Sequence, residues 1–164
     1  PKTEEVEYLR ALTYYKRSPK AELDQTTTNK TILTMQVFID AHPTSPRVKE
    51  ATEVIDACRE KLELKDYKTA TLYDNLSLYR AAAISYGLLS DNYPDSKKSD
   101  QYKLLTVKAY YKFAMNSFED KQKERFEKVT TEYNDFVDRY SDSPLLPEAK
   151  KIKQQTDNFL NNKK

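Results

Sequence analysis

The sequence contains three copies of one short helix-to-helix corner. They are DAHPTS at 40–45, DNYPDS at 91–96 and DRYSDS at 138–143. Aligned on the closing serine, the copies stand 51 and 47 residues apart. A helix pair that recurs at such an interval cannot bury its apolar face alone, so neighbouring pairs stack on one another. The repeat therefore predicts an α-solenoid.

The corners carry ordinary signals for the end of one helix and the start of the next. Ser45 precedes Pro46, and Ser143 precedes Pro144. A serine N-cap accepts a hydrogen bond from a free backbone N–H, and proline at the first helical position has no N–H to satisfy. The apolar periodicity between corners predicts about eight helices, with 17–28 as the longest loop. The predicted ranges are 3–16, 29–42, 46–64, 66–76, 79–92, 97–117, 121–140 and 145–160.

The middle repeat fits the tetratricopeptide pattern of small and aromatic residues. Ala70 and Tyr73 fill its first helix, and Ala82, Tyr86 and Pro94 fill its second. Small residues let two helices approach closely, while aromatic rings fill the space between pairs. The predicted fold is all-α, a tetratricopeptide-like α-solenoid of about four helix pairs. Because no composition break divides the chain, we expect one domain over 1–164.

Composition argues against several classes of active site. The chain has one glycine, Gly87, whereas phosphate-binding loops and nucleophile elbows need several. His42 and Cys58 are each the sole residue of their type, which disfavours a zinc site and excludes an internal disulfide. Lys and Arg total 28 against 26 Asp and Glu, a balance that does not favour nucleic acid as a partner. We expect no enzyme activity, no catalytic residue, no metal and no cofactor, and we assign His42 and Cys58 to packing.

Adjacent tyrosines are the first candidates for partner binding. Neighbouring side chains on a helix diverge by about 100°, so the pairs 14–15 and 110–111 cannot each face one stripe. One tyrosine of each pair should reach a groove or the surface, where an apolar ring with a polar tip suits protein recognition. We single out Tyr14, Tyr79 and Tyr110. Packing between repeats is the alternative role for these rings.

Three lysines are the second group of candidates. Lys97, Lys98 and Lys103 stand in the run DSKKSDQYK at a predicted helix start. Cations are mildly unfavourable at the positive end of a helix dipole, which suggests a role outside stability, such as docking an acidic surface. The alternative is an ordinary solvated face.

Three longer stretches resemble the BamD family, the tetratricopeptide lipoproteins of the outer-membrane β-barrel assembly machinery. They are YLRALTYYKRSPKAELDQT at 8–26, VFIDAHPTSPRVKEATEVIDACREKL at 37–62 and LYRAAAISYGLLSDNYPDSKKSDQYKLL at 78–105. The third corner departs from the family pattern, because Ser141 stands where the family has proline. Family members begin with a lipid-modified cysteine and one further N-terminal repeat. Neither is in this sequence, so we expect both to precede residue 1.

The resemblance implies a non-catalytic scaffold subunit on the periplasmic face of the outer membrane, held there by a lipid anchor. Its implied partners are the periplasmic (POTRA) domains of BamA, other assembly subunits and unfolded segments of outer-membrane proteins. It implies neither nucleic-acid binding nor a membrane contact beyond that anchor. The alternative is a general cell-envelope tetratricopeptide adaptor, such as one that organises peptidoglycan enzymes.

Overall fold

The computed structural model of the protein describes residues 2–162. This part of the chain holds seven α-helices and no strand, which confirms the all-α prediction and is consistent with a tetratricopeptide-like solenoid. None of these helices is both long enough and apolar enough to span a membrane. The helices are α1 (Lys2–Arg17), α2 (Thr26–Ala41), α3 (Val48–Asn75), α4 (Tyr79–Asn92), α5 (Ser99–Met115), α6 (Glu119–Arg139) and α7 (Leu146–Asn162).

Helix α3 differs from the prediction. The two helices expected at 46–64 and 66–76 are one continuous helix of 28 residues. Nothing in the sequence LELKDY around residue 65 interrupts a helix, because it contains neither glycine nor proline and is rich in good helix formers. The eight predicted helices are therefore seven in the described range.

The chain divides into two compact units, Pro1–Lys65 (unit 1) and Asp66–Lys164 (unit 2). In unit 1, α1 packs on α2, and the first part of α3 completes the core. Tyr8 and Phe38 lie at its centre with ring centroids 5.5 Å apart, and Met35 beside them is fully buried. Burial of these apolar side chains is the main stabilising term for the unit.

The connection between α1 and α2 is held by a buried glutamine. The side-chain amide of Gln25 donates to the backbone carbonyls of Lys20 and Leu23, at 2.8 and 3.0 Å. Its amide oxygen accepts from the hydroxyl of Thr28 at 2.6 Å. Since Gln25 is only 6% exposed, these bonds replace water that the loop backbone would otherwise need.

In unit 2, helices α4 to α7 pack in sequence, each on the next, and α7 also reaches α5. Ala70 and Ala82 are fully buried, and Tyr86 is 2% exposed. The hydroxyl of Tyr86 donates to Thr71 at 3.2 Å, and its ring centroid lies 6.4 Å from that of Tyr67. The small and aromatic positions of the tetratricopeptide pattern thus occupy the core of this unit, as predicted.

The three corners share one hydrogen-bonding pattern. In each, the serine hydroxyl accepts a hydrogen bond from the backbone N–H two residues later, at 3.1 Å for Ser45, 3.2 Å for Ser96 and 3.1 Å for Ser143. Each serine N–H also donates to the carbonyl three residues before it, at 3.0 or 3.1 Å. Each serine thus caps a single turn, but the predicted helix start at the next residue is wrong, because Pro46 and Pro144 lie in that turn and the helices begin three residues after each serine. Lys98, the residue directly before α5, makes no side-chain cap hydrogen bond.

Candidate protein-binding groove

Unit 2 has an open groove between the start of α4, the end of α5 and the first turns of α6. It consists of two adjoining hollows of about 440 and 660 Å³ that share Arg80, Ile84 and Phe113 as lining residues. These volumes fall in the range of roughly 300–1,000 Å³ that is usual for binding sites. The groove is an open concave surface that brings aromatic and charged side chains together, so we treat it as the candidate site.

Helix α4 forms one wall of the groove. It carries apolar residues on two faces, so one face packs in the core while the other lines the groove. Ala82, Tyr86 and Leu89 point into the core, whereas Ile84 and Leu88 leave 46% and 54% of their surface exposed. Ile84 and Leu88 are four residues apart and therefore lie on one face of the helix. Together they form a short exposed apolar stripe, and Ile84 lines the groove.

The rim of the groove is basic. Its charged lining residues are Arg80, Lys121, Glu124, Arg125 and Lys128, four cations against one carboxylate. Among residues 2–162, only Lys128 of these cations has an ion pair, at 2.6 Å from Glu132. The other three cations, Arg80, Lys121 and Arg125, can therefore pair with a ligand without first breaking an ion pair among the described residues.

Arg125 is held in place by two contacts. Its guanidinium carbon lies 4.1 Å from the centroid of the Phe113 ring, a cation–π contact. One of its terminal nitrogens also donates to the hydroxyl of Ser117. A guanidinium has five N–H donors, so most of them stay available after that bond. The local fold thus orients Arg125 before any ligand arrives.

Two of the predicted tyrosines, Tyr79 and Tyr110, lie on this groove. Each carries an ammonium group above its ring, Lys112 at 5.5 Å from Tyr79 and Lys128 at 5.4 Å from Tyr110. Tyr111 takes a different direction and meets Phe126 edge-on, with centroids 5.7 Å apart. The predicted divergence of the 110–111 pair is therefore confirmed.

Lys97 and Lys98 are exposed, but they lie away from the groove. Helix α5 begins at Ser99, so both lysines belong to the corner that precedes it and not to its first turn. This corner follows the C-terminal end of α4, while the groove lies at the N-terminal end. The 14 residues of α4 separate the two by about 20 Å along the helix axis.

The structure corrects the prediction for Lys103, which is 5% exposed and so not available to a partner. Its ammonium lies 2.6 Å from a Glu132 oxygen and also contacts the Asp135 carboxylate. Desolvation lowers the pKa of Lys103, but hydrogen bonds to Asp135 and Glu132 outweigh it and hold that pKa above its usual value. The sequence could not reveal this, because both carboxylates are about 30 residues away.

Tyr14, the remaining candidate, belongs to unit 1. The ammonium of Lys30 lies 4.4 Å from its ring centroid. Hydrogen bonding from Lys30, and after it from Arg10, lowers the pKa of the Tyr14 hydroxyl. The side chain is half-buried, so its ring is partly available for contact.

Cys58 and His42, the side chains with potential chemical reactivity, both make packing contacts. Cys58 is fully buried, and desolvation raises the pKa of its thiol. The His42 ring packs 5.3 Å from that of Phe38, and its Nε2 lies 2.7 Å from a Glu7 carboxylate oxygen. Within residues 2–162, no group of three or more His, Cys, Asp or Glu side chains is placed to hold a metal ion.

Sequence reasoning missed the residues that give the groove its character: Arg80, Ile84, Phe113 and Arg125. One signal was available, since Ile84 and Leu88 lie on the face of α4 opposite the tetratricopeptide positions. No local pattern links Arg125 to Phe113, because that contact depends on how α5 and α6 pack.

Helix pairs joined by recurring corners define a helical-repeat protein. A family model described as "YfiO: Outer membrane lipoprotein" matches residues 1–126. This match covers well over half of the 164 residues, so the chain belongs to the YfiO family of outer membrane lipoproteins. A search of curated protein sequences found no match.

Proposed function

We propose that this protein is a non-catalytic scaffold subunit of the outer-membrane β-barrel assembly machinery. It docks on the periplasmic domains of BamA, engages unfolded barrel precursors, or does both, from a lipid-anchored position on the periplasmic face of the outer membrane. The observation that carries the proposal is the match of residues 1–126 to an outer membrane lipoprotein family.

The geometry of unit 2 supports a binding role. Tyr79, Tyr110 and Arg125 line one groove, and tyrosine and arginine are the residue types enriched in binding hot spots. They are mounted on packed helices, so little conformational entropy is lost when a partner binds. The scaffold presents aromatic and charged surface and performs no chemical step.

The test is calorimetric titration of the protein against the periplasmic domains of BamA from the same source, at low and high salt. We expect saturable one-to-one binding that weakens as salt rises, because charge pairs at the rim of an interface are screened. Absence of binding, both by this chain and by a longer chain with the preceding segment, would exclude BamA docking. Precursor segments, titrated in the same way, test the second partner class.

Two variants locate the docking surface. Tyr110→Ala alters the groove, whereas Lys97→Glu with Lys98→Glu alters the corner at the other end of α4. We expect each to weaken BamA binding without loss of helicity by circular dichroism. If both variants bind like the wild type, neither surface contributes and these residue assignments are wrong.

A further inference from the structure

We propose that the unit 2 groove binds an acidic, amphipathic segment of a partner polypeptide. Its carboxylate side chains pair with Arg125 and Arg80, and its apolar side chains rest on Ile84 and Phe113. The inference rests on the proposed scaffold function, which it deepens by giving one surface a ligand chemistry.

The first argument is the geometry of Arg125. The Arg125 guanidinium carbon lies 4.1 Å from the centroid of the Phe113 ring, and the Ser117 hydroxyl accepts a hydrogen bond from one guanidinium N–H group. No carboxylate of residues 2–162 pairs with this guanidinium, although its planar donors fit a carboxylate in bidentate fashion. An oriented guanidinium without an anion is a receptor for an external one.

The second argument is the local charge. The whole chain carries a formal charge of only +2, and several cations of unit 2 are matched to acids. One example is Arg139, which lies 2.8 Å from Asp91. Across the groove, Arg80 and Lys121 have no ion pair within the described chain, and Glu124 is the one acid of the basic hollow. The groove therefore attracts negative charge, which raises the association rate of an acidic partner.

The third argument is the apolar surface beneath these charges. Leu78 is 51% exposed and Ile84 is 46% exposed, and both line the larger hollow with Phe113. A ligand that is only acidic would leave this surface in contact with water. A segment that alternates acidic and apolar side chains covers it, and each buried apolar group adds to the affinity.

The test uses a fluorescein-labelled peptide with an amidated C-terminus, in which glutamate alternates with leucine and phenylalanine. The peptide is titrated at low salt with the wild type and with the Arg80→Glu, Arg125→Glu and Ile84→Asp variants. Fluorescence anisotropy gives the dissociation constant for each protein. We expect each variant to weaken binding at least about ten-fold relative to the wild type. Arg80 is exposed and has no ion pair with any other residue in 2–162, so that variant remains informative even if Arg125→Glu fails to fold.

Matched controls lie on the same unit. Lys151→Glu reverses the charge of an exposed lysine of α7 outside the groove, and Leu72→Asp alters an exposed leucine on α3 that is not a lining residue. Both should bind the peptide within about two-fold of the wild type. Equal losses in groove and control variants would overturn the inference. So would equal affinity for a glutamate–glycine peptide, or preferential binding to phosphatidylglycerol vesicles.

The outcomes for the two proposals are separable. If the peptide binds in the groove but BamA domains do not bind at all, BamA docking fails and the acidic-segment site stands. If BamA binds while the peptide shows no groove-dependent binding, the scaffold role stands and the groove inference is wrong.

Discussion

Lys103 of α5 and Glu132 of α6 form an ion pair inside unit 2, with Nζ and Oε2 2.6 Å apart and side chains only 6% and 13% exposed. Lys128 contacts the other oxygen of Glu132 at 2.6 Å, and Asp135 also pairs with Lys103. Each buried ion costs several kcal/mol to desolvate unless it is paired. The stability of the α5–α6 packing therefore depends on keeping all members of this network.

Lys103→Met is the sharpest test of the network. The change leaves Glu132 with one cation and Asp135 without its closest partner, so we expect a loss of about 3 kcal/mol in the free energy of unfolding. Urea denaturation measures it. The matched variant Lys97→Met, on an exposed lysine, should stay within about 0.5 kcal/mol of the wild type. A similar, small effect for both would mean that the pair contributes little.

The same network predicts a pH dependence. Desolvation raises the pKa of Asp135, but its contacts with Lys103 and Arg139 outweigh it and hold that pKa below its usual value. Its contribution to stability is therefore complete above the unfolded value of about 4 and is lost as pH falls through the folded pKa. The raised pKa of Lys103 acts in the opposite direction. Its contribution is complete below about 10.5 and is lost as pH rises through the folded pKa.

Denaturation curves at a series of pH values check both limits. Lys103→Met should have a flatter stability profile than the wild type below pH 4 and above pH 10, because the coupled titrations are gone. Parallel profiles for the two proteins would show that other groups control the pH dependence.

Gln25→Ala tests the organisation of the loop between α1 and α2. The variant removes one of the two donors to each carbonyl of Lys20 and Leu23 and one of the two partners of the Thr28 hydroxyl. Because each group keeps its second partner, we expect a loss of about 1–2 kcal/mol. Denaturant unfolding gives the size, and faster amide exchange in 18–28 would locate it. Gln36→Ala removes a glutamine whose amide reaches Asp40 on an exposed face, and should cost far less. Equal costs would remove any special role for Gln25.

Ser77→Gly should stabilise the protein. Ser77 has φ 60°, a left-handed conformation that glycine adopts without strain. It closes α3 in a Schellman motif, with the Leu78 N–H bonded to the Tyr73 carbonyl at 2.9 Å. We expect a gain of about 1 kcal/mol in denaturant unfolding, reduced slightly by loss of the 3.2 Å bond from Tyr79.

The matched control for this prediction is Ser85→Gly in the interior of α4. There the same substitution should destabilise by about 0.5 kcal/mol, because glycine is a poorer helix former than serine. Opposite signs at the two positions would tie the gain to the left-handed backbone. Destabilisation at both would show that the Ser77 side chain matters more than its φ angle.

The helices and their corners were readable from the sequence because their causes are local. Each corner serine caps the following turn through a backbone N–H only two residues away, so the local sequence is enough to predict the contact. These serines are Ser45, Ser96 and Ser143. The burial of Ala82 and Tyr86 was also predictable, because residues four apart lie on one face of a helix. The break predicted near residue 65 was wrong because no glycine or proline there interrupts the helix.

The sequence by itself determined the all-α class and the recurring corner. It also determined six of the seven described helices to within three residues at either end. These features follow from the sequence because backbone hydrogen bonds and capping act over a few residues. Only the tertiary structure decided which charges are buried and which are free. Lys103 became internal because Glu132 and Asp135 of α6 meet it in the packed unit. Arg125 became an oriented surface cation because Phe113 of α5 lies beneath it. Such contacts join residues on different helices. Their strength depends on how the helices pack, which a short sequence motif does not predict.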